Sequence, residues 1–261
     1  MEIIGYIASV LIGISLGLIG GGGSILTVPV LVYLFNVDAV LATYYSLFVV
    51  GGTSIVGSLS YFKKGLLSLK TAVFFGVPSV ICVYLSRTFI LPSIPHSIFT
   101  IGSFVLTKSF LLMILFAVLM IFASISMIKK SSINTQPSTT YNYPMVLGKG
   151  AFVGFITGLI GAGGGFLIIP ALVNFLKLPM KKAIGTSLFI ISINSIIGFS
   201  FSISKTDINW QLLLTITLIA IIGIIIGSFI STKIDGKKLK PAFGWFVLIM
   251  GIYIILKEII K

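Results

Sequence analysis

The chain has 261 residues, 57% of them hydrophobic and only 9% charged, with a mean hydropathy of +1.20. Soluble globular domains carry about 25% charged residues, so that class is excluded and an integral membrane protein is expected. The net charge of +13 would point to nucleic acid in a soluble protein. Here the lysines fall in loops between apolar spans, so the expected partners are membrane lipids with anionic headgroups, and no nucleic acid.

From the N-terminus, a first apolar stretch covers about residues 3–35. It follows Met1-Glu2 without a basic leader and recurs in the interior, so it reads as mature fold rather than a cleaved signal. It is too long for one ordinary crossing and too short for two. Inside it stands Gly17-Leu18-Ile19-Gly20-Gly21-Gly22-Gly23-Ser24-Ile25-Leu26-Thr27-Val28-Pro29. Glycines break a helix, and lipid cannot satisfy the freed backbone groups, so the cluster belongs in a protein-lined or watery cavity. The segment predicts a hairpin whose second limb, Ser24 to Phe35, is a half-helix of about three turns. Runs long enough to cross as helix follow near residues 40–62, 69–90 and 109–128. Cys82 is the single cysteine; it allows no internal disulfide and reads as a small apolar helix residue. Leu91-Pro92-Ser93-Ile94-Pro95-His96 is a polar interruption, and its lone histidine reads as a surface group.

A solvated linker, rich in Ser, Asn, Gln and Pro, joins this half to a second apolar stretch at about residues 144–176. There the glycine motif returns as Gly158-Leu159-Ile160-Gly161-Ala162-Gly163-Gly164-Gly165-Phe166-Leu167-Ile168-Ile169-Pro170. The register continues without a gap, so that Ala42, Ser46, Leu47, Phe48, Ser54, Ile55 and Gly57 fall on Ala183, Ser187, Leu188, Phe189, Ser195, Ile196 and Gly198. Further runs lie near 183–203, 210–232 and 241–260. The chain thus divides into a first transmembrane repeat, 1–130, a polar linker, 131–143, and a second repeat, 144–261.

The basic residues give the topology. If each glycine stretch crossed once, the eighteen would split nine to nine; if each dips in and returns, Lys63, Lys64, Lys70, Lys129, Lys130, Lys149, Lys177, Lys181, Lys182, Lys233, Lys237, Lys238 and Lys240 share one side, thirteen to five. The orientation bias of short membrane loops favours the second arrangement. Each repeat then makes three further crossings, and an odd number inverts the second copy. The expected fold is an all-α, multi-pass protein of the cytoplasmic membrane, built from two inverted repeats of transmembrane helices that each open with a glycine-broken hairpin.

Each half-helix points unpaired N–H groups and the positive end of its dipole at the glycine turn, near mid-membrane. Glycines let an anion approach those groups closely. The substrate-binding candidates are Gly20, Gly21, Gly22, Gly23 and Ser24 in the first break and Gly161, Gly163, Gly164 and Gly165 in the second. Ser46, Thr186, Ser187 and Asn194, on the helix after each half-helix, add uncharged donors. Glycines also pack helices, and hydroxyls also glue them; the matched placement in both halves lifts the glycine breaks, Ser46 and Ser187 above that explanation. The five acids, Glu2, Asp38, Asp207, Asp235 and Glu258, fall at ends or loops. With no mid-membrane carboxylate, a cation pump is disfavoured and an anion favoured. One histidine, one cysteine and unclustered acids provide no metal set and no nucleophile with a base, so no enzyme, catalytic residue, metal or cofactor is expected.

With its duplicated glycine–proline motif and its Ala183-Ile184-Gly185-Thr186-Ser187-Leu188 segment, the chain resembles the TauE/SafE family of sulfite exporters and sulfonate permeases over nearly its whole length. The resemblance implies a secondary transporter of small sulfur-containing or carboxylated anions across the cytoplasmic membrane. One departure is Thr43-Tyr44-Tyr45-Ser46-Leu47, whose tyrosines replace the smaller residues of the second repeat and would reshape that half of the site. Two other readings stay open: a passive anion channel, and a membrane scaffold whose glycines only pack helices. A coupling ion, H+ or Na+, would leave no side-chain signature, since half-helix carbonyls can hold sodium. Direction of transport and oligomeric state have no sequence signal either.

Overall fold

The structure, a computed structural model, describes residues 2–95, 97–101, 104–128, 143–160, 164–201 and 208–260. Most of the linker, together with His96 and Asp207, lies outside them. Helix α1, Glu2–Ile19, is followed by α2, Gly22–Tyr33, which turns back along it. The Tyr6 and Phe35 rings meet edge-on at 5.7 Å, and a Cβ on Gly23 would lie 2.1 Å from Ile12 O. In the second half, α7, Tyr143–Ile160, is answered by α8, Gly165–Pro170, which runs on as a π-helix over Ala171–Phe175. Lys149 Nζ lies 3.9 Å over the Phe175 ring, so this limb also returns.

The two limbs end alike. Asn36 and Lys177, at matched positions, are left-handed with φ of 52° and 53°. The following amides then close on the limb, Val37 N to Leu31 O at 3.0 Å and Leu178 N to Leu172 O at 3.1 Å. Both glycine stretches are therefore helical hairpins. The limbs begin slightly earlier than expected, inside the glycine clusters, because Gly21 and Gly164 serve as N-caps. Pro170, which lacks an N–H, marks the passage from α8 into the π-helix.

Among the described residues, six helical spans are long and apolar enough to cross a membrane. They are α3, Ala39–Lys63; α4, Leu69–Leu85, prolonged by a π turn at Ser86–Ile90 and a short α5 at Leu91–Ser93; α6, Lys108–Ile128; α9, Met180–Ser200; α10, Trp210–Lys233; and α11, Gly236–Ile260. The expected interruption at Leu91 to His96 is only partly a break. Pro92, which lacks an N–H, follows directly on the π turn, and the helix continues to Ser93. Beyond it, β1, Ser97–Ile101, pairs antiparallel with β2, Phe104–Thr107, with Thr100 opposite Val105. This hairpin is the one β element among the described residues of an otherwise helical fold.

Asp38 starts α3 by accepting from Val40 N at 2.8 Å and Leu41 N at 3.3 Å. Asp38→Ala should lower stability by about 1 kcal/mol, the usual worth of an N-cap; thermal unfolding in detergent measures it.

The spans pair across the two halves. Helix α1 lies parallel to α10, with Gly13 against Ala220 and Gly17 against Ile224; α7 lies parallel to α4, with Gly150 against Phe75 and Gly154 against Ser79. Small residues let these backbones touch, as membrane helices require. Helices α3 and α9 run antiparallel through the centre, Gly51 beside Ser195 and Gly198 beside Leu47. Helices α6 and α11 are antiparallel too, with Gly251 on Ala117 and Gly244 on Ile128. Following these directions, the first and last helices start and finish on one face. The ends of α3 and α10, with Lys63, Lys64 and Lys233, lie on the other, where Lys181 Nζ donates to Thr232 O at 3.0 Å. Outward, Leu69, Val73, Val77, Ile81 and Leu85 of α4 form a stripe 42% to 54% exposed. Such a stripe suits lipid, not water.

Candidate functional site

At the first break α1 ends at Ile19, and Gly20 turns the chain with φ +78°. Gly21 caps α2 without any side-chain hydrogen bond. Ser24 Oγ donates to Gly21 O at 2.7 Å and braces the turn. At the second break, Gly164 has φ +71° and caps α8, again without a side-chain bond. Both half-helices thus start buried and without a side-chain cap, where such ends ordinarily find a partner.

The two starts meet. A Cβ on Gly21 would lie 2.2 Å from Gly165 O, and one on Gly165 would lie 2.6 Å from Gly21 Cα and 3.3 Å from Ser24 Oγ. One face of α9 closes the junction: Ile184 and Ser187 against Gly20, and Ile191 against Gly165. Of the sequence candidates, Gly20, Gly21, Ser24, Gly165 and Ser187 therefore converge at one place. Gly23 faces Ile12 and Leu16 of its own hairpin, and Gly164 faces Thr157. Gly22 is the first residue of α2, and Gly161 and Gly163 lie outside the described residues.

The polar candidates divide in the same way. Ser187 Oγ bonds Ile184 O at 2.8 Å beside the first break. Thr186 Oγ1 instead accepts from Ser68 N at 3.0 Å, tying α9 to the loop after α3. Asn194 Nδ2 donates to Ser79 Oγ of α4 at 2.7 Å, while its Oδ1 is buried without a partner among the described residues. Ser46, Ser54 and Ser195 are fully buried, and their hydroxyls have no partner among the described residues. Ser54 and Ser195 occupy matched positions on α3 and α9, so the central pair carries spare hydrogen-bonding capacity in a low-dielectric interior.

Sequence reasoning did not single out Ile184, Ile191 or Tyr61. The Tyr61 hydroxyl bridges Gly17 O at 2.9 Å and Ser231 Oγ at 2.6 Å, fixing α1 to α3 and α10 just before the break. An isolated tyrosine near a helix end carries no pattern that distinguishes it from an interfacial anchor. Tyr45 spends its hydroxyl as acceptor for Asn209 N at 2.7 Å, and Tyr44 turns its ring to Arg87, 5.2 Å away. No group of three or more metal-ligating side chains occurs among the described residues.

The sequence profile of the family described as sulfite exporter TauE/SafE matches residues 6–254. A probable membrane transporter protein of Xylella fastidiosa (strain Temecula1) is 28% identical, covering 94% of this chain and 91% of its own length. The probable membrane transporter protein YunE of Bacillus subtilis is 31% identical, covering 97% and 98%. No solved structure matches. A match across almost the entire chain, on a multi-pass helical frame, makes this chain a member of the TauE/SafE family of membrane transporters.

Proposed function

We propose that the protein is a secondary transporter for a small sulfur-containing or carboxylated anion. Its two halves would work as inverted repeats that hold the anion between the starts of α2 and α8. The observation that carries this reading is the contact of Gly21 with Gly165, which brings two helix starts without side-chain caps face to face. Two positive dipole ends at one point favour negative charge. The antiparallel run of the matched helices α3 and α9 is the relation that an inverted pair requires. The basic face carrying Lys63, Lys64 and Lys233 would be cytoplasmic by the positive-inside rule.

The same contact argues against a passive channel. With Gly21 backbone packed on Gly165, an anion enters only if the breaks part, and that motion is the natural step of alternating access. A coupling ion, H+ or Na+, would bias it.

The test is a thermal-shift screen of purified protein with sulfite, thiosulfate, sulfoacetate and small carboxylates, followed by counterflow in vesicles. A true substrate at 100 times its dissociation constant should add about 2.7 kcal/mol of stability and drive saturable, trans-stimulated uptake. Flux that never saturates and ignores anion on the far side would overturn the transporter reading.

A further inference from the structure

Arg87 is 4% exposed, and among the described residues Nε, Nη1 and Nη2 all lack a hydrogen-bond partner. A guanidinium carries five N–H donors, has no acceptor and keeps its charge in proteins. Taken out of water without an anion, it is among the costliest groups a membrane interior can hold, and intramembrane charges accordingly mark substrate paths. The Tyr44 ring, 5.2 Å from Arg87 Cζ, offsets part of that cost through its π face. It offers the N–H groups no acceptor.

The backbone that carries this charge packs beside the end of α7, where the second break begins. Ser86 Oγ donates to Phe155 O at 3.0 Å, and a Cβ on Gly158 would lie 2.7 Å from Ser86 Cβ. Helix α7 ends two residues beyond, at Ile160. Arg87 and Thr88, whose Oγ1 is also buried and unpartnered, belong to the π turn Ser86–Ile90. Such turns widen a helix and recur at functional sites. The repeat register sets Arg87 opposite Ser228 and Tyr44 opposite Gly185. Ser228 lies in regular α10 and bonds Ile225 O at 3.0 Å. The arginine–tyrosine pair is thus peculiar to the first half.

We propose that Arg87 is the fixed positive charge that receives the transported anion, pairing its two-pronged edge with two oxygens of a carboxylate, sulfonate or sulfite group. The planar fork matches such groups bidentately, which a lysine cannot do. This proposal rests on the anion-transporter reading and adds to the anion's path a charged residue, and a preference for oxoanions, that the junction of backbone and hydroxyls does not itself supply. Tyr44 holds the guanidinium on its other side, which gives the bulky Thr43-Tyr44-Tyr45 segment a role.

The test uses the full chain in nanodiscs, with sulfite, sulfoacetate and acetate as probes and chloride as the round-anion control. Wild type should bind at least one oxoanion more tightly than chloride. Arg87→Gln should lose about tenfold or more in that affinity, yet melt no lower than wild type without ligand, because an unpaired charge has been removed. Arg87→Lys, which keeps the charge, should lose the preference over chloride; it carries the test if Arg87→Gln does not insert. Undiminished oxoanion binding by Arg87→Gln, or an unchanged preference in Arg87→Lys, overturns the proposal while leaving the transporter reading intact. If wild type neither binds nor moves any probe, both fall.

Discussion

Gly21→Ala is expected to abolish saturable anion uptake in a protein that still inserts and purifies. The added Cβ would stand 2.2 Å from Gly165 O and 2.3 Å from Gly165 C. Both are main-chain atoms, so no side chain can swing aside; one break must move away from the other. Overpacking of this kind costs about 1 to 3 kcal/mol, which a polytopic bundle survives. The geometry of two helix starts aimed at one point does not survive it, and misplacement by about 1 Å suffices to lose a precisely positioned function. Gly164→Ala provides the contrast. Its φ of +71° disfavours any side chain, and its Cβ would meet Thr157 Cγ2 at 2.0 Å within its own hairpin. That variant should lose melting temperature first and flux as a consequence. Counterflow and thermal unfolding on both variants separate the effects: a scaffold would lose stability in both and show no flux to lose in either.

The two breaks, their hairpin form and the shared face of the basic loops were readable from residues alone, because each has a local cause. Four glycines in an apolar run admit no continuous helix, and Lys63, Lys64, Lys181 and Lys233 gather at one end of the bundle as the loop composition implies. What could not be read is which helix meets which. Gly13 and Gly17 look like preparation for the turn that follows, yet they are the seam on which α1 rests against α10, a helix some two hundred residues later. Thr186 and Asn194 looked like free donors on the helix after the break. They are bonded to Ser68 N and Ser79 Oγ, partners fixed only by tertiary packing. Ile184 and Ile191, which close the junction, differ in no sequence property from Ile222 and Ile225, which are 59% and 55% exposed toward lipid. Arg87 falls near the end of the apolar run at 69–90, where residue type alone does not distinguish a charge at a span end from one inside the bundle. The π turn and α5 carry the helix past it, and so it is buried.

The α4–α7 seam should be the least tolerant place in the fold, and Gly154→Val is expected to prevent stable assembly. A Cβ on Gly154 would lie 2.2 Å from Ser79 O and 2.5 Å from Ser79 Cα, inside the backbone of the facing helix. Gly150, 2.4 Å from Phe75 O by the same measure, and Gly158 continue the seam one turn to either side. The helices therefore cannot pivot about one contact; they must separate along its length. Separation also pulls Ser79 from Asn194 Nδ2, a buried bond of 2.7 Å to the central helix α9, and leaves both groups short of partners in lipid, where nothing replaces them. With two further methyl groups to house, the loss should exceed about 3 kcal/mol, the upper end of ordinary overpacking. Gly13→Val should act alike on the matched α1–α10 seam, where the Cβ would lie 2.0 Å from Ala220 O. Gly148→Val, with open space around its Cβ, should stay within about 0.5 kcal/mol of wild type. Yield of monodisperse protein and its melting temperature give the comparison. If Gly154→Val melts with Gly148→Val, the two helices do not touch through their backbones, and the placement of Arg87 beside the second break fails with them.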